Sequence, residues 1–404
     1  MGPSRAYLSL KNFALVIGLL PITLVLMGCG TSPAAAPESP KNENTVLLTA
    51  YGATCDGQHN DQPALQSALN ELSSKGGGVV VVPSATCRIV QTEAAPSTNL
   101  TGPVAIRGES DLATLSFDSD QPSVYRELFR ISGTNPSLQG VRLVRASDIS
   151  GVMVNIGPST NLSFNNVVID GKKDVYGKRV FHGISLGGGP GDIIKDVAVV
   201  NTTIQNVEYG VFQANNIRST TDGFRVDSST FTRNHADDLE LNAPEGAITH
   251  VEVTRSRFLD NKKSPDPFGS GFGVGLANVQ HVLIEKNTFK GYRYEPIHIE
   301  DRSGFVTIRD NSFADSFTVP VNWASHVLVI GSSHDIAITN NTFDTTGNPN
   351  SIDCVYVGAG GGPAAPDKVQ VTGNTFKLRP SAEGIAVYGA TNVTTSSNMT
   401  TPVA

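Results

Sequence analysis

VLIEKNTF at residues 282–289 is followed by VTIRDNSF at 306–313, IAITNNTF at 336–343 and VQVTGNTF at 369–376. Each stretch reads apolar, any residue, apolar, four residues, apolar. Alternation with a period of two belongs to a strand, not a helix. Working back along the chain, the same pattern recurs at Val251/Val253/Phe258, Phe224/Val226/Phe231, Val197/Val199/Ile204 and Leu162/Phe164/Ile169. A weaker ninth copy starts at Val393. First residues of successive copies lie 35, 27, 27, 31, 24, 30, 33 and 24 positions apart. A fixed unit at a variable period marks a solenoid whose insertions sit in loops. No helical pattern follows each strand, which excludes leucine-rich repeats and α/β barrels.

Two further signals fit that solenoid. Asparagine stands two residues before the last apolar position in five copies: Asn287, Asn311, Asn341, Asn374 and Asn398. Asparagine tolerates tight turns, and stacked asparagines bond one another and the backbone. This turn ladder accounts for the Asn-x-Thr sequons at Asn340 and Asn398 better than glycosylation does. A second strand follows in most turns: 183–186, 210–213, 238–241, 273–276, 296–299, 354–357 and 384–387, with 326–329 the candidate in the turn between Phe313 and Ile336. The expected fold is all-β, a single-stranded right-handed parallel β-helix.

Composition agrees. The chain has 404 residues, 39% hydrophobic and 17% charged, against about 25% charged in an average soluble protein. A coiled coil or a disordered polyelectrolyte would need more charge. The net charge of −7 makes nucleic acid an unexpected partner. Arg5 and Lys11 precede an apolar run from Phe13 to Gly28, short for a membrane span and normal for a signal peptide. Leu26, Met27, Gly28 and Cys29 resemble a bacterial lipobox. That resemblance implies lipidation of Cys29 after removal of residues 1–28, and membrane contact through this lipid only. Gly30 rather than an acidic residue then suits an outer-membrane lipoprotein; the cell surface and the periplasm stay open. Residues 29–44, rich in Pro, Ala, Ser and Glu, read as a flexible tether, leaving 45–404 for the β-helix. Export permits disulfides. Cys55 and Cys87 flank one helix-strand unit and are the candidate pair, while Cys354 reads as a free core thiol.

The segment 45–90 carries a separate signal. Glycines at 52 and 57 make a turn, Asp61 is positioned to cap a helix opening at Pro63, and Ala64, Leu65, Ala68, Leu69 and Leu72 give that helix an apolar face. GGGVVVVP at 76–83 then reads as a turn and a buried strand. This region resembles the opening of pectate lyase superfamily proteins and of family 28 glycoside hydrolases (polygalacturonases). The resemblance implies a parallel β-helix with the helix plugging its N-terminal end.

Aligned second strands point to the chemistry. With first and third positions facing outward, the first column reads Gly183, Gly210, Asp238, Gly273, Pro296 and the third reads Ser185, Phe212, Glu240, Gly275, His298. Turns repeat at about 4.8 Å, so Glu240 and His298 are expected roughly 10 Å apart across a glycine floor, and Asp238 and Glu240 about 7 Å apart on one face. Asp237, Glu295, Glu300 and Asp301 crowd the same three turns. His182, Tyr209, Arg233, His235 and Arg302 flank them. Crowded carboxylates raise one another's pKa, as a general acid beside a base requires. They are equally the oxygen ligands that Ca²⁺ takes.

The family 28 pattern implies four motifs on successive turns. Asp237 and Asp238 match its Asp-Asp step. Phe272, between Gly271 and Gly273, replaces its histidine. His298 and Glu300 stand where Arg and Lys are expected, and Tyr209 where the first Asp is expected. Loss of the cations weakens the case for a galacturonan but not for a sugar. A basic loop of Lys172, Lys173, Lys178 and Arg179 reads as solvated.

Three readings follow, all with a polysaccharide as partner. The first is a glycoside hydrolase, with Asp238 or Asp237 as acid and Glu240 or Glu300 activating water. The second is a polysaccharide lyase or C5-epimerase on a polyuronide, with His298 or Tyr209 as base and Arg233, Arg302 or Ca²⁺ neutralising the carboxylate. The third is a non-catalytic glycan-binding envelope protein. A monomer or trimer is expected.

Overall fold

The computed structural model describes residues 44–172, 179–214, 216–243, 247–261, 271–317, 325–348, 352–360 and 364–402. The signal peptide, Cys29, most of the tether, Lys173 and Lys178 lie outside the described residues.

The chain winds as a parallel β-solenoid with three strands per turn. A long strand such as Val279–Glu285 leads into a short strand, Thr288–Lys290, and then into a third, Ile297–Glu300. The next turn repeats this with Gly304–Arg309, Ser312–Ala314 and Ser325–Val329. Each strand pairs in parallel with its counterparts one turn away. The short strands alone form a sheet of 13. The eight-residue sequence motif therefore spans two strands and the corner between them, not one strand. The strand Ser325–Val329 fills the turn between Phe313 and Ile336.

The core follows from the alternation. Inward residues of the short strands stack Phe231, Phe258, Phe289, Phe313, Phe343 and Phe376 with ring centroids 4.8–5.2 Å apart. That spacing is the strand spacing, so near-parallel rings are imposed by the backbone repeat.

The corner between long and short strands is held by a side-chain ladder. Asn287 Nδ2 and backbone N–H both donate to Asn311 Oδ1, and Asn311 does the same to Asn341, Asn341 to Asn374 and Asn374 to Asn398. The ladder continues toward the N-terminus through hydroxyls. Ser256 N–H donates to Asn287, Ser229 N–H to Ser256 Oγ, Thr202 N–H to Ser229 Oγ, and Val167 N–H to Thr202 Oγ1. The residue before each rung is left-handed, from Asn201 (φ 49°) through Lys286 and Asn340 to Gly373 (φ 68°). The left-handed residue turns the corner, and the ladder residue satisfies the backbone groups that the turn exposes.

At the N-terminal end, helix Gln62–Ser74 opens with Pro63 and buries Ala64, Leu65, Ala68, Leu69 and Leu72 against the first strands. Asp61 occupies the N-cap position but does not cap with its side chain. Its carboxylate instead accepts from the backbone N–H groups of Thr54 (2.8 Å), Cys55 (3.2 Å) and Arg88 (3.2 Å). Cys55 and Cys87 are joined as a disulfide, and Cys354 is free and buried.

Candidate active site

The third strands build the site. Their outward positions align in register: Ser185 with Phe212, Phe212 with Glu240, Glu240 with Gly275, and Gly275 with His298. The next outward position aligns Asn242, Ala277 and Glu300. Glycine and alanine on the middle turn lower the floor between Glu240 and Asn242 on one side and His298 and Glu300 on the other; this trough is narrow, with Gly275 and Ala277 buried and the Phe272 ring lying over Gly275. A Cβ built on Gly275 would lie 3.4 Å from the Phe272 ring and 3.9 Å from Glu240 Cγ. A larger side chain there would press on the Phe272 ring and on Glu240.

The position before each strand behaves otherwise than alternation predicts. Asp238 does not face the trough. It is fully buried, its carboxylate accepting from Asn234 Nδ2 (2.7 Å) and from the Tyr292 hydroxyl. The glycines of its column explain this. A Cβ at Gly210 would point at Phe231 and one at Gly273 at Phe289, both in the core. The corner breaks the period of two, turning this column inward and the preceding one outward. Backbone pairing aligns that preceding column as His182, Tyr209, Asp237, Phe272 and Glu295. Asp237 thus borders the trough, with Oδ1 accepting from the N–H groups of Gly271 and Phe272, both at 2.6 Å.

The electrostatics separate the carboxyls. Burial, then the charge of Asp237 and a hydrogen bond to it, hold Glu240 protonated well above the usual carboxyl range. Asn242 Nδ2 also donates to Glu240 Oε1. Glu300 goes the other way. Against its partial burial, the His298 imidazole at 3.4 Å holds its pKa below the usual value. His298 is raised in turn: Glu300, Glu295 and Asp237 outweigh the burial that opposes its charge. Its ring stacks on Phe272 at 4.4 Å. Burial raises Glu295 to about 7, against the charge of His298 and its own backbone N–H, which favour the carboxylate. Burial also raises Asp238 to about 7, against the two hydrogen bonds that favour its charged form. One carboxyl facing the trough is therefore kept as an acid and another as a carboxylate.

Other sequence candidates disperse. Arg233 reaches Gln205 and Asn206 one turn back, at the corner leaving the short strands. His235 is buried, its carbonyl accepting from Arg293. Asp301 and Arg302 are exposed on the turn after the strand, and the Arg302 carbonyl accepts from Gln280. His182, lowered to about 4 by burial, lies in an aromatic group with Tyr125, Tyr209 and Phe212, at 6.2, 5.4 and 4.6 Å.

The partners of Asp238, namely Asn234 and Tyr292, were not legible in the sequence. Tyr292 arrives from 54 residues downstream, a distance no local pattern spans. Among the described residues, the group with three potential metal-ligand atoms within 4.8 Å is Cys55, Asp61 and Cys87, where the two sulfurs are joined. The trough carboxylates do not converge in that way.

Residues 182–401 match the family model described as a right handed beta helix region. The chain belongs to that family. No curated protein matches. Among solved structures, this β-helix chain is similar to ORF18 of Geobacillus virus E2, at 12% identity and a TM-score of 0.55 over 76% of this chain and 60% of that one. It thus spans 60% of that relative's length. It is similar to the DFA-IIIase of Arthrobacter chlorophenolicus A6, at 8% identity and a TM-score of 0.59 over 88% and 95% of the two chains. It is also similar to the A-module of the Azotobacter vinelandii mannuronan C-5 epimerase AlgE6, at 14% identity and 0.52 over 89% and 100%. At these identities the likeness is one of fold.

Proposed function

We propose that this β-helix protein is an exported, lipid-anchored glycoside hydrolase acting on a polysaccharide in the trough. The observation that carries the reading is the split pair: Glu240 held protonated and Glu300 held ionised, on turns separated by Gly275 and Ala277. Glu240 donates its proton to the leaving glycosidic oxygen. Glu300 takes a proton from water attacking the opposite face of the sugar. Two turns and a two-residue offset along the strand set the Glu240 and Glu300 backbones roughly 12 Å apart, far enough for the wider of the two carboxyl spacings that glycosidases use. Inverting enzymes separate their carboxyls by about 6.5–9.5 Å to admit that water, so inversion at the anomeric carbon is expected. Asp237, fixed by two backbone N–H groups, keeps the Glu240 proton in place. Asp238 supports the corner and does not meet substrate. The fold similarity to a DFA-IIIase and an epimerase agrees with carbohydrate chemistry on this scaffold.

A lyase or epimerase on a polyuronide is the less favoured reading. Arg233 is turned to another corner and Arg302 stands off the trough. His298 is raised toward its charged form, which makes it a poor base. Carboxylates lining the trough would also repel a polyanion.

The test is incubation of the purified chain with neutral and acidic polysaccharides, following reducing ends and the absorbance of unsaturated uronates together. Reducing ends without absorbance, abolished in Glu240→Gln and Glu300→Gln, are expected. Rising absorbance would replace hydrolysis by elimination.

A further inference from the structure

The trough does not end at the carboxylates. Toward the N-terminus the outward column continues to Phe212, in register with Glu240. The Phe212 ring meets Tyr209 at 5.5 Å and His182 at 4.6 Å, with the half-exposed Tyr125 beyond. His182 is nine-tenths buried with its Nδ1 unpartnered, and burial lowers it to about 4. A neutral polar edge thus sits among aromatic rings. Toward the C-terminus the column runs from His298 to Leu328, both nearly buried, and emerges at the partly exposed Tyr356. The Tyr356 ring meets Tyr388 at 5.3 Å, and Tyr388 is 57% exposed. Two aromatic groups therefore stand on one face, on either side of the acidic turns.

Each turn advances about 4.8 Å, so Phe212 and Tyr356, five turns apart, are separated by roughly 24 Å along the axis. A pyranose with its glycosidic oxygen spans about one turn. The apolar face of a sugar ring packs on an aromatic ring while its hydroxyls reach polar side chains, the mixed lining that small-molecule sites use. Excess carboxylate between the two platforms disfavours an acidic polymer.

We infer that Phe212 with Tyr209 and Tyr125, and Tyr356 with Tyr388, are sugar-stacking platforms that hold one uncharged glycan chain parallel to the solenoid axis. The chain enters and leaves past both sides of the carboxylates, so cleavage is internal to the polymer. This inference rests on the proposed glycan-active reading of the same trough.

The experiment is affinity electrophoresis of the full mature chain through gels containing neutral glucans, fructans, mannans or xylans. Viscosity loss is compared with reducing ends for any polymer that is cut. Phe212→Ala and Tyr356→Ala are each expected to weaken retardation about tenfold, with an unchanged melting temperature, and Phe212→Trp to restore it. Viscosity is expected to fall well before reducing ends accumulate. If glycan is cut but both alanine variants are retarded like the parent, the platforms are wrong and the hydrolase reading stands. If retardation depends on the platforms but nothing is cut, the platforms stand and the hydrolase reading falls. If no glycan retards the parent chain, both fall.

Discussion

Replacing Asn311 by alanine removes the middle of the turn ladder, and its cost can be worked bond by bond. Asn311 is 2% exposed. Its Oδ1 accepts from the Asn287 backbone N–H (2.9 Å) and from Asn287 Nδ2 (3.0 Å). Its Nδ2 donates to the Ile284 carbonyl (2.9 Å) and to Asn341 Oδ1 (3.0 Å). Alanine deletes all four bonds. Asn287 Nδ2 keeps the Val253 carbonyl, and Asn341 Oδ1 keeps the residue 311 backbone N–H. The Asn287 backbone N–H loses the acceptor that the ladder gives it, and the Ile284 carbonyl loses a donor. An orphaned buried donor costs about 1–3 kcal/mol and each ordinary bond about 1, which places Asn311→Ala at about 3–4 kcal/mol. Asn398→Ala is the control. It sits half-buried at the last rung, where water replaces the amide, and should cost about 1 kcal/mol. Asn311→Ser should recover half of the loss, because Ser256 Oγ already accepts the Ser229 backbone N–H at 3.1 Å. Urea unfolding by circular dichroism reads these as midpoint shifts at constant slope. If Asn311→Ala and Asn398→Ala fall within 1 kcal/mol of each other, the ladder is decoration and the reasoning fails.

The remaining predictions concern the trough and the groups beneath it. Glu240→Gln should lower kcat by about 10²–10⁴-fold while leaving glycan retardation intact; a loss below tenfold would remove Glu240 from the acid role. The pH profile of kcat should be bell-shaped. Its alkaline limb lies above the ordinary carboxyl range because Glu240 is raised, and its acid limb below that range because Glu300 is lowered; a limb that survives both glutamine variants would assign it elsewhere. Asp238 titrates near 7 when folded and near 3.8 when unfolded, so its stability contribution is present below 3.8 and is lost as pH rises through 7. The melting temperature of Asp238→Asn relative to the parent should therefore rise between pH 5 and pH 8, and a flat difference would contradict the burial of that carboxyl. Gly275→Val should cost about 1–3 kcal/mol in urea unfolding by pressing on the Phe272 ring and Glu240, and should also lose glycan retardation and turnover; a variant that turns over glycan like the parent would contradict the trough.

The sequence showed most of the scaffold because the repeat reports directly on the core. The phenylalanines and asparagines that recur in the text recur in space one turn apart. The hydroxyl half of the ladder is not legible in the sequence because Thr202, Ser229 and Ser256 do the asparagine's work with a different side chain, so the chemical pattern breaks while the geometry does not. Glu240, Gly275 and His298 fell into register on counting alone, since alternation holds within a strand. Asp238 did not, because the corner before the strand inverts the alternation and only the three-dimensional path reveals it. Nor could spacing divide the carboxyls into acid and base. That division depends on burial and on neighbours such as Asn242 and Asp237, which are contacts rather than intervals.

The uneven spacing of the repeats has a consequence for how such a solenoid can change its surface. The connections that enter the third strands vary most, from the segment between Leu259 and Val274 to the short one between Leu378 and Glu383. All of them lead into the third strands, whose outward residues line the trough. A turn touches only its neighbours above and below, so one connection can be lengthened or recut without shifting the register of the others. The molecule behaves like a keyboard on a fixed frame: selection can retune one key at a time while the frame keeps its pitch.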